Sequence, residues 1–256
     1  MAARWGWFPA VGLSVAGLLV VSSPITAEAC YPKRAAQANY GFASWDRAYS
    51  GITAVKSNIR EYDPFVAPNS DVTAWIMLYT YTGNGYAQVG WEKPDGGSPF
   101  YSPCHKASGT NRCVFTEEQD SSGFVNFGYS AAQPINASTT YEVHYEYYTG
   151  VLAYTYWVNG VRIGSNGATA WVPNDSQMAG EVHNQGDQMP GDKTANTWFD
   201  FSQLSDGFWR DFNNPVGSAA VLYDYNGEPT TYWTAGAYST RLMNIWDNAC
   251  TYPGNN

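Results

Sequence analysis

Along most of this chain apolar side chains alternate with polar or small ones, and the 3.6-residue spacing of an amphipathic helix is nearly absent. Successive side chains of a strand point to opposite faces, so such a sequence folds as strands with one apolar face each. Each of those faces has to be buried against another sheet. The alternation predicts strands over residues 72–81, 85–92, 112–117, 123–129, 140–148, 152–158, 161–164, 169–172, 178–183, 197–201, 219–225 and 238–245. Turn signals punctuate them. Asn159-Gly160 lies between two apolar runs and suits a hairpin turn needing positive φ at both central residues. Gly83-Asn84-Gly85, Asp95-Gly96-Gly97 and Asn226-Gly227 are further turn signals. Residues 187–197 and 213–217 break the alternation and are expected to be exposed loops. The fold class expected is all-β, a two-sheet antiparallel β-sandwich of jelly-roll type.

The first 29 residues stand apart from this pattern. A cation at Arg4, an apolar run from Val11 to Val21 and small residues ending in Ala27-Glu28-Ala29 are the layout of a secretory signal peptide. Residues 30–256 are then expected to form one β-sandwich domain, exported and extracellular. An oxidising exterior lets disulfides persist. Cys104 and Cys113 enclose a short polar loop and are natural partners, which leaves Cys30 with Cys250. The net charge of -9, with no cluster of cations, argues against nucleic acid as a partner. After removal of the signal no membrane contact is expected, and the chain is expected to be a monomer. Charged residues make up 14% of the sequence and aromatics 16%, a balance suited to a groove that grips an extended polymer, peptide or glycan.

Two segments draw attention as chemistry. In Tyr86-Ala87-Gln88-Val89-Gly90-Trp91, alternation puts Tyr86, Gln88 and Gly90 on one face and Ala87, Val89 and Trp91 on the other. A carboxamide is thus displayed beside a ring and a glycine. Far downstream, Glu181 interrupts an apolar strand in Gly180-Glu181-Val182. A glutamate buried there would have its pKa raised and could carry a proton at mildly acidic pH.

The order of these motifs resembles the glutamic peptidases. Ala74-Trp75-Ile76 followed by Ala87-Gln88-Val89-Gly90-Trp91 is similar to the fungal eqolisin branch, in which an Ala-Trp-Val strand precedes one bearing the catalytic glutamine. Gly180-Glu181-Val182 followed by Gln188-Met189-Pro190-Gly191 resembles the plant neprosin branch. That likeness extends to Cys104 and Cys113, to Phe124-Val125 and to the hairpin around Asn159-Gly160. Where the neprosin branch has a glutamate, this chain has Gln88. The resemblance implies a concanavalin-like β-sandwich whose concave sheet holds a Gln88–Glu181 dyad. Glu181 would take a proton from a water attacking a peptide carbonyl, and Gln88 would position that water and donate an N–H to the oxyanion. Trp75, Tyr86, Trp91 and His183 would line the binding surface, and a peptide is expected ahead of a glycan as substrate. No metal and no cofactor is called for.

Other readings compete. Glu142, His144 and Glu146 alternate along one strand and share a face, so two carboxylates could serve a sandwich glycoside hydrolase or lyase. Tyr79, Tyr81, Tyr86 and Trp91 could instead form a non-catalytic carbohydrate platform. A serine-nucleophile elbow, a His-Glu-x-x-His helix, a phosphate loop and a dinucleotide fingerprint are all missing from the sequence.

Overall fold

A computed structural model describes residues 41–48, 51–60, 64, 66, 70–80, 85–94, 112–119, 125–133, 138–168, 171–183, 187, 189–191, 197–213, 221–225 and 233–247. Among these, every regular element is a β-strand, and all the strands pair antiparallel in two sheets. The first sheet runs in the order β13 (Val221–Tyr225), β1 (Gly41–Ala48), β10 (Asp175–Val182), β3 (Asp71–Tyr79), β4 (Tyr86–Pro94), β5 (Arg112–Gln119) and β6 (Val125–Gln133). The second runs β14 (Trp233–Ala237), β15 (Met243–Asp247), β11 (Thr197–Ser205), β2 (Ala54–Arg60), β7 (Ser138–Tyr148), β8 (Val151–Val158) and β9 (Val161–Ala168), with β12 (Trp209–Asp211) paired to β11. This is the antiparallel sandwich that the alternation demands.

The core lies between the sheets. Val72, Ala74, Ile76 and Leu78 of β3 and Ala87, Val89 and Trp91 of β4 meet Tyr141 and Val143 of β7 and Tyr154 and Tyr156 of β8. Because one face of β3 and β4 is spent in this core, the opposite face of the same strands is turned outward. That outward face carries its own small apolar cluster of Trp75, Phe115 and Ala179. The strand β10 is buried along its whole length, Asp175, Ser176 and Gln177 included.

The hairpin at Asn159-Gly160 forms as expected, with φ of 50° and 73° at its two central residues. Three expectations are corrected. Trp171 and Val172 are not in a strand. Trp171 instead lies over Gly85, where any side chain would sit 2.5 Å from its ring, and stacks on Tyr154 at 4.3 Å between centroids. The segment after β10 is not simply an exposed loop, because Asp187, Met189, Pro190 and Gly191 are buried. Asp187 accepts hydrogen bonds from Ser70 Oγ at 2.6 Å and from the backbone N–H of His183 at 3.0 Å, which tie the segment down. Residues 238–242 precede β15 and are outside any strand.

Candidate active site on the outward face of the first sheet

Strand register sorts the outward side chains of β10, β3, β4 and β5 into rows. Glu181, Thr73 and Glu92 share one row. Ala179, Trp75, Gly90 and Phe115 share the next. Gln177, Met77, Gln88 and Glu117 share the third. Although this face is turned away from the second sheet, its polar groups are sunk below the surface: Glu181 is 6% exposed, Gln88 7% and Gln177 4%.

Two glycines shape the site. At Gly90 a Cβ would lie 2.0 Å from the carbonyl oxygen of Ala74 and 2.6 Å from Cα of Trp75, so this position of β4 admits no side chain. At Gly180, on the core side of β10, a Cβ would lie 2.1 Å from Cδ1 of Ile245 and 3.1 Å from Sδ of Met189. The missing side chain lets Ile245 and the Met189-Pro190 segment close up directly behind Glu181. The Gly-Glu-Val and Met-Pro-Gly motifs thus belong to one packing unit.

Three side chains hold Glu181. Trp75 donates from Nε1 to Oε2 at 2.5 Å, and Thr73 donates from Oγ1 to the same oxygen at 3.2 Å. His183, one residue past β10, places Nε2 3.2 Å from Oε1. The other nitrogen of that ring, Nδ1, lies 2.7 Å from Oδ2 of Asp71. Both ring nitrogens therefore face carboxylates, an arrangement that the doubly protonated imidazolium satisfies. Burial lowers the pKa of His183, but the charges and hydrogen bonds of Glu181 and Asp71 outweigh it and hold the pKa well above the ordinary histidine value. The donors and the cation all favour the ionised form of Glu181.

Gln88 looks the other way. Its Nε2 donates to Oε2 of Glu117 on β5 at 2.8 Å, and the hydroxyl of Tyr86 donates to Oε1 of the same carboxyl group. The pKa of Glu117 is raised, first by burial and then by the charge of Glu181, against the opposing hydrogen bonds of Tyr86 and Gln88 and the charge of His183. Tyr86 is pushed well above the ordinary tyrosine range by burial and by Glu117. The two carboxyl groups on this sheet face thus differ in surroundings: Glu181 meets donors and a cation, while at Glu117 burial and the charge of Glu181 outweigh the donors and raise the pKa.

Gln88 and Glu181 lie on this one face, but four residues out of register and two strands apart. Ordinary strand dimensions make that about 13 Å along the strands and about 10 Å across them between backbones. Trp75 occupies the row between. The partner that Gln88 touches is Glu117, and the partners of Glu181 are Trp75, Thr73 and His183. Trp75 and His183, expected as binding residues, are both direct partners of Glu181. Trp91 is corrected to a core residue: it is 0% exposed and on the inter-sheet face of β4, opposite to Gln88, so it cannot line a surface. Tyr79 and Tyr86 share the outward face, while Tyr81 lies outside the described residues.

Glu117 and Asp71 were not singled out in the sequence. Glu117 sits beside Glu118 in Thr116-Glu117-Glu118-Gln119, where nothing local says which carboxyl points outward. Cross-strand register supplies that answer, with Glu117 opposite Gln88.

Glu142, His144 and Glu146 lie on the second sheet, remote from this site. His144 Nε2 is 2.9 Å from Oε2 of Glu142, and its ring packs between Trp157 and Trp209 at centroid distances of 5.7 and 5.8 Å. Thr155 Oγ1 donates to Glu146 at 2.5 Å. The hydrogen bond from His144 leads the causes that lower the pKa of Glu142. A shift in that direction suits the ionised member of a glycosidase pair and not its acid. Of the expected disulfide partners, Cys113 lies on β5, while Cys30, Cys104 and Cys250 fall outside the described residues.

The class defined here is a two-sheet antiparallel β-sandwich with ionisable groups sunk into the outward face of one sheet. Among solved structures, it is similar in fold to scytalido-glutamic peptidase, solved with a transition-state analog inhibitor, at a TM-score of 0.58 and 11% identity over 82% of this chain and 98% of that one. The same peptidase with a peptide-based transition-state analog matches at 0.55, with the same identity and coverage. SCP-B, a member of the eqolisin family in complex with the tripeptide Ala-Ile-His, matches at 0.53, again at 11% identity over 82% and 98% of the two chains. At that identity the likeness is one of fold. No family model matches the chain, and no curated protein matches it in sequence.

Proposed function

We propose that the chain is a hydrolase of the glutamic-peptidase type, cleaving peptide bonds at acidic pH by activating water without a covalent intermediate. The observation that carries this reading is the surroundings of Glu181: a buried carboxylate held by Trp75, Thr73 and a His183–Asp71 pair on an outward sheet face. Such a group is a fixed proton acceptor. Glu181 takes a proton from the attacking water. Gln88 uses one N–H to anchor on Glu117 and presents the other to the oxyanion that forms on the carbon the water attacks. An extended peptide fits such a sheet face, in keeping with the peptide ligands of the structures similar in fold.

In this reading the chain is exported as a monomer, residues 1–29 are removed, and Cys104–Cys113 and Cys30–Cys250 are bridged. Incubating the purified protein with casein from pH 3 to pH 8 tests the proposal. Peptide release confined to the acidic side is expected, and no release at any pH would overturn it.

A further inference from the structure

We propose that Glu117 is the proton donor to the leaving amine, a catalytic acid paired with Glu181 as base. This rests on the reading of Glu181 given above and extends it to a residue on another strand. Three observations support it. Glu117 lies on the outward face, in the row of Gln88 and Met77, at the far side of the site from Glu181. Both of its oxygens are engaged from β4, Oε2 by Gln88 Nε2 at 2.8 Å and Oε1 by the Tyr86 hydroxyl, so the carboxyl is fixed in place beside the group that binds the oxyanion. The charges of Glu181 and His183 are both felt at Glu117, which puts the two ends of the site within electrostatic reach of one another. A group that must hold a proton in the resting enzyme is helped by burial and by an anion facing it, and both are present.

The step balances. Glu181 accepts a proton as the water oxygen bonds to the carbonyl carbon, and the oxyanion is held by the free N–H of Gln88. On collapse the carbonyl re-forms, the C–N bond breaks, and Glu117 gives its proton to the departing nitrogen. The products are an acid and an amine. Glu181 is left protonated and Glu117 ionised, and exchange of one proton each with solvent resets the pair. The groups facing Glu117 are Tyr86 and Gln88 from β4 and Glu181 and His183 from the β10 side, while Phe127 of β6 is its register partner on the remaining side.

An acid of this kind matters only when the leaving group needs a proton. The test compares a peptide amide with a p-nitrophenyl ester of the same acyl part, whose leaving phenolate needs none. Glu117→Gln is expected to lose about 100-fold or more in kcat/KM on the amide, the ordinary contribution of a general acid, and to stay within a few-fold of the parent on the ester. Equal losses on both substrates would make Glu117 a positioning residue for Gln88 and overturn the assignment, as would no loss on either. Glu181→Gln is expected to lose both activities. If it retained them, the reading of Glu181 would fail whatever Glu117 did. Should Glu117→Gln not fold, a series of anilides on the unaltered enzyme decides: rates nearly independent of leaving-group pKa support donation, and a steep dependence excludes it.

Discussion

Replacing Trp75 by Phe removes one atom of consequence, the Nε1–H that reaches Glu181 at 2.5 Å, and keeps a ring to pack against Phe115 and Ala179. Hydrogen bonds to charged groups contribute about 1.5–3 kcal/mol, and Glu181 is 6% exposed, so solvent does little to replace the lost donor. Losing some ring volume in a residue 3% exposed also costs stability, but that part does not depend on pH. The diagnostic quantity is therefore a difference. A donor that favours the ionised carboxylate contributes stability above the unfolded glutamate pKa, about 4.3, and that stability is lost as Glu181 is protonated. Urea unfolding of Trp75→Phe and the parent at pH 7 and at pH 3 should show a stability deficit larger at pH 7 by about 1.5–3 kcal/mol. Equal deficits at the two pH values would mean that the indole does not support an ionised Glu181, and the description of the site would be wrong at its centre.

Other outcomes follow from the same surroundings. His183 has a folded pKa raised above its unfolded value of about 6.5, so its contribution is full below that pH and is lost as pH rises through the folded pKa. His183→Gln should accordingly destabilise the protein at pH 5, with the deficit narrowing toward pH 9, as followed by urea unfolding. Glu117, also raised, binds its proton more tightly when folded, so the cost of ionising it appears as pH rises. Glu117→Gln should stabilise the fold at neutral pH relative to the parent, and the gain should vanish below about pH 4. Gly180→Ala places a methyl 2.1 Å from Cδ1 of Ile245 and should cost about 1–3 kcal/mol by urea unfolding, with Ile245→Val in the same chain recovering part of it.

The sandwich was legible because its centre alternates cleanly. Val72, Ala74, Ile76 and Leu78 on β3 and Ala87, Val89 and Trp91 on β4 are all core. Elsewhere the pattern broke for identifiable reasons. In β2 the inward row reads Val55, Ser57, Ile59, and the middle member is a serine bonded to Ser202 Oγ at 2.9 Å, which hides the apolar face. The strand β10 begins three residues before Met178 because Asp175, Ser176 and Gln177, which look like a turn in sequence, are buried in the middle of a sheet. A bulge between Asp200 and Gln203, with Phe201 at φ 52°, shifts the register of β11 and carries it past the expected end. For the site, Gln88 and Glu181 could be named from motif order and their shared face from alternation. Their offset could not, since register between strands nearly a hundred residues apart is set by pairing through β3 and not by either strand's sequence. The same pairing is what brings Glu117 to Gln88.

Everything proposed about catalysis passes through one carboxylate, and kcat/KM for a defined peptide with Glu181→Gln measures it directly. Gln fills the same space and can still meet Trp75 and Thr73 through its carbonyl oxygen, so near-ultraviolet circular dichroism should match the parent. Removing a positioned general base is expected to lower the rate by about 100- to 10,000-fold at every pH where the parent is active. A folded Glu181→Gln protein that cleaves within a few-fold of the parent would contradict the account.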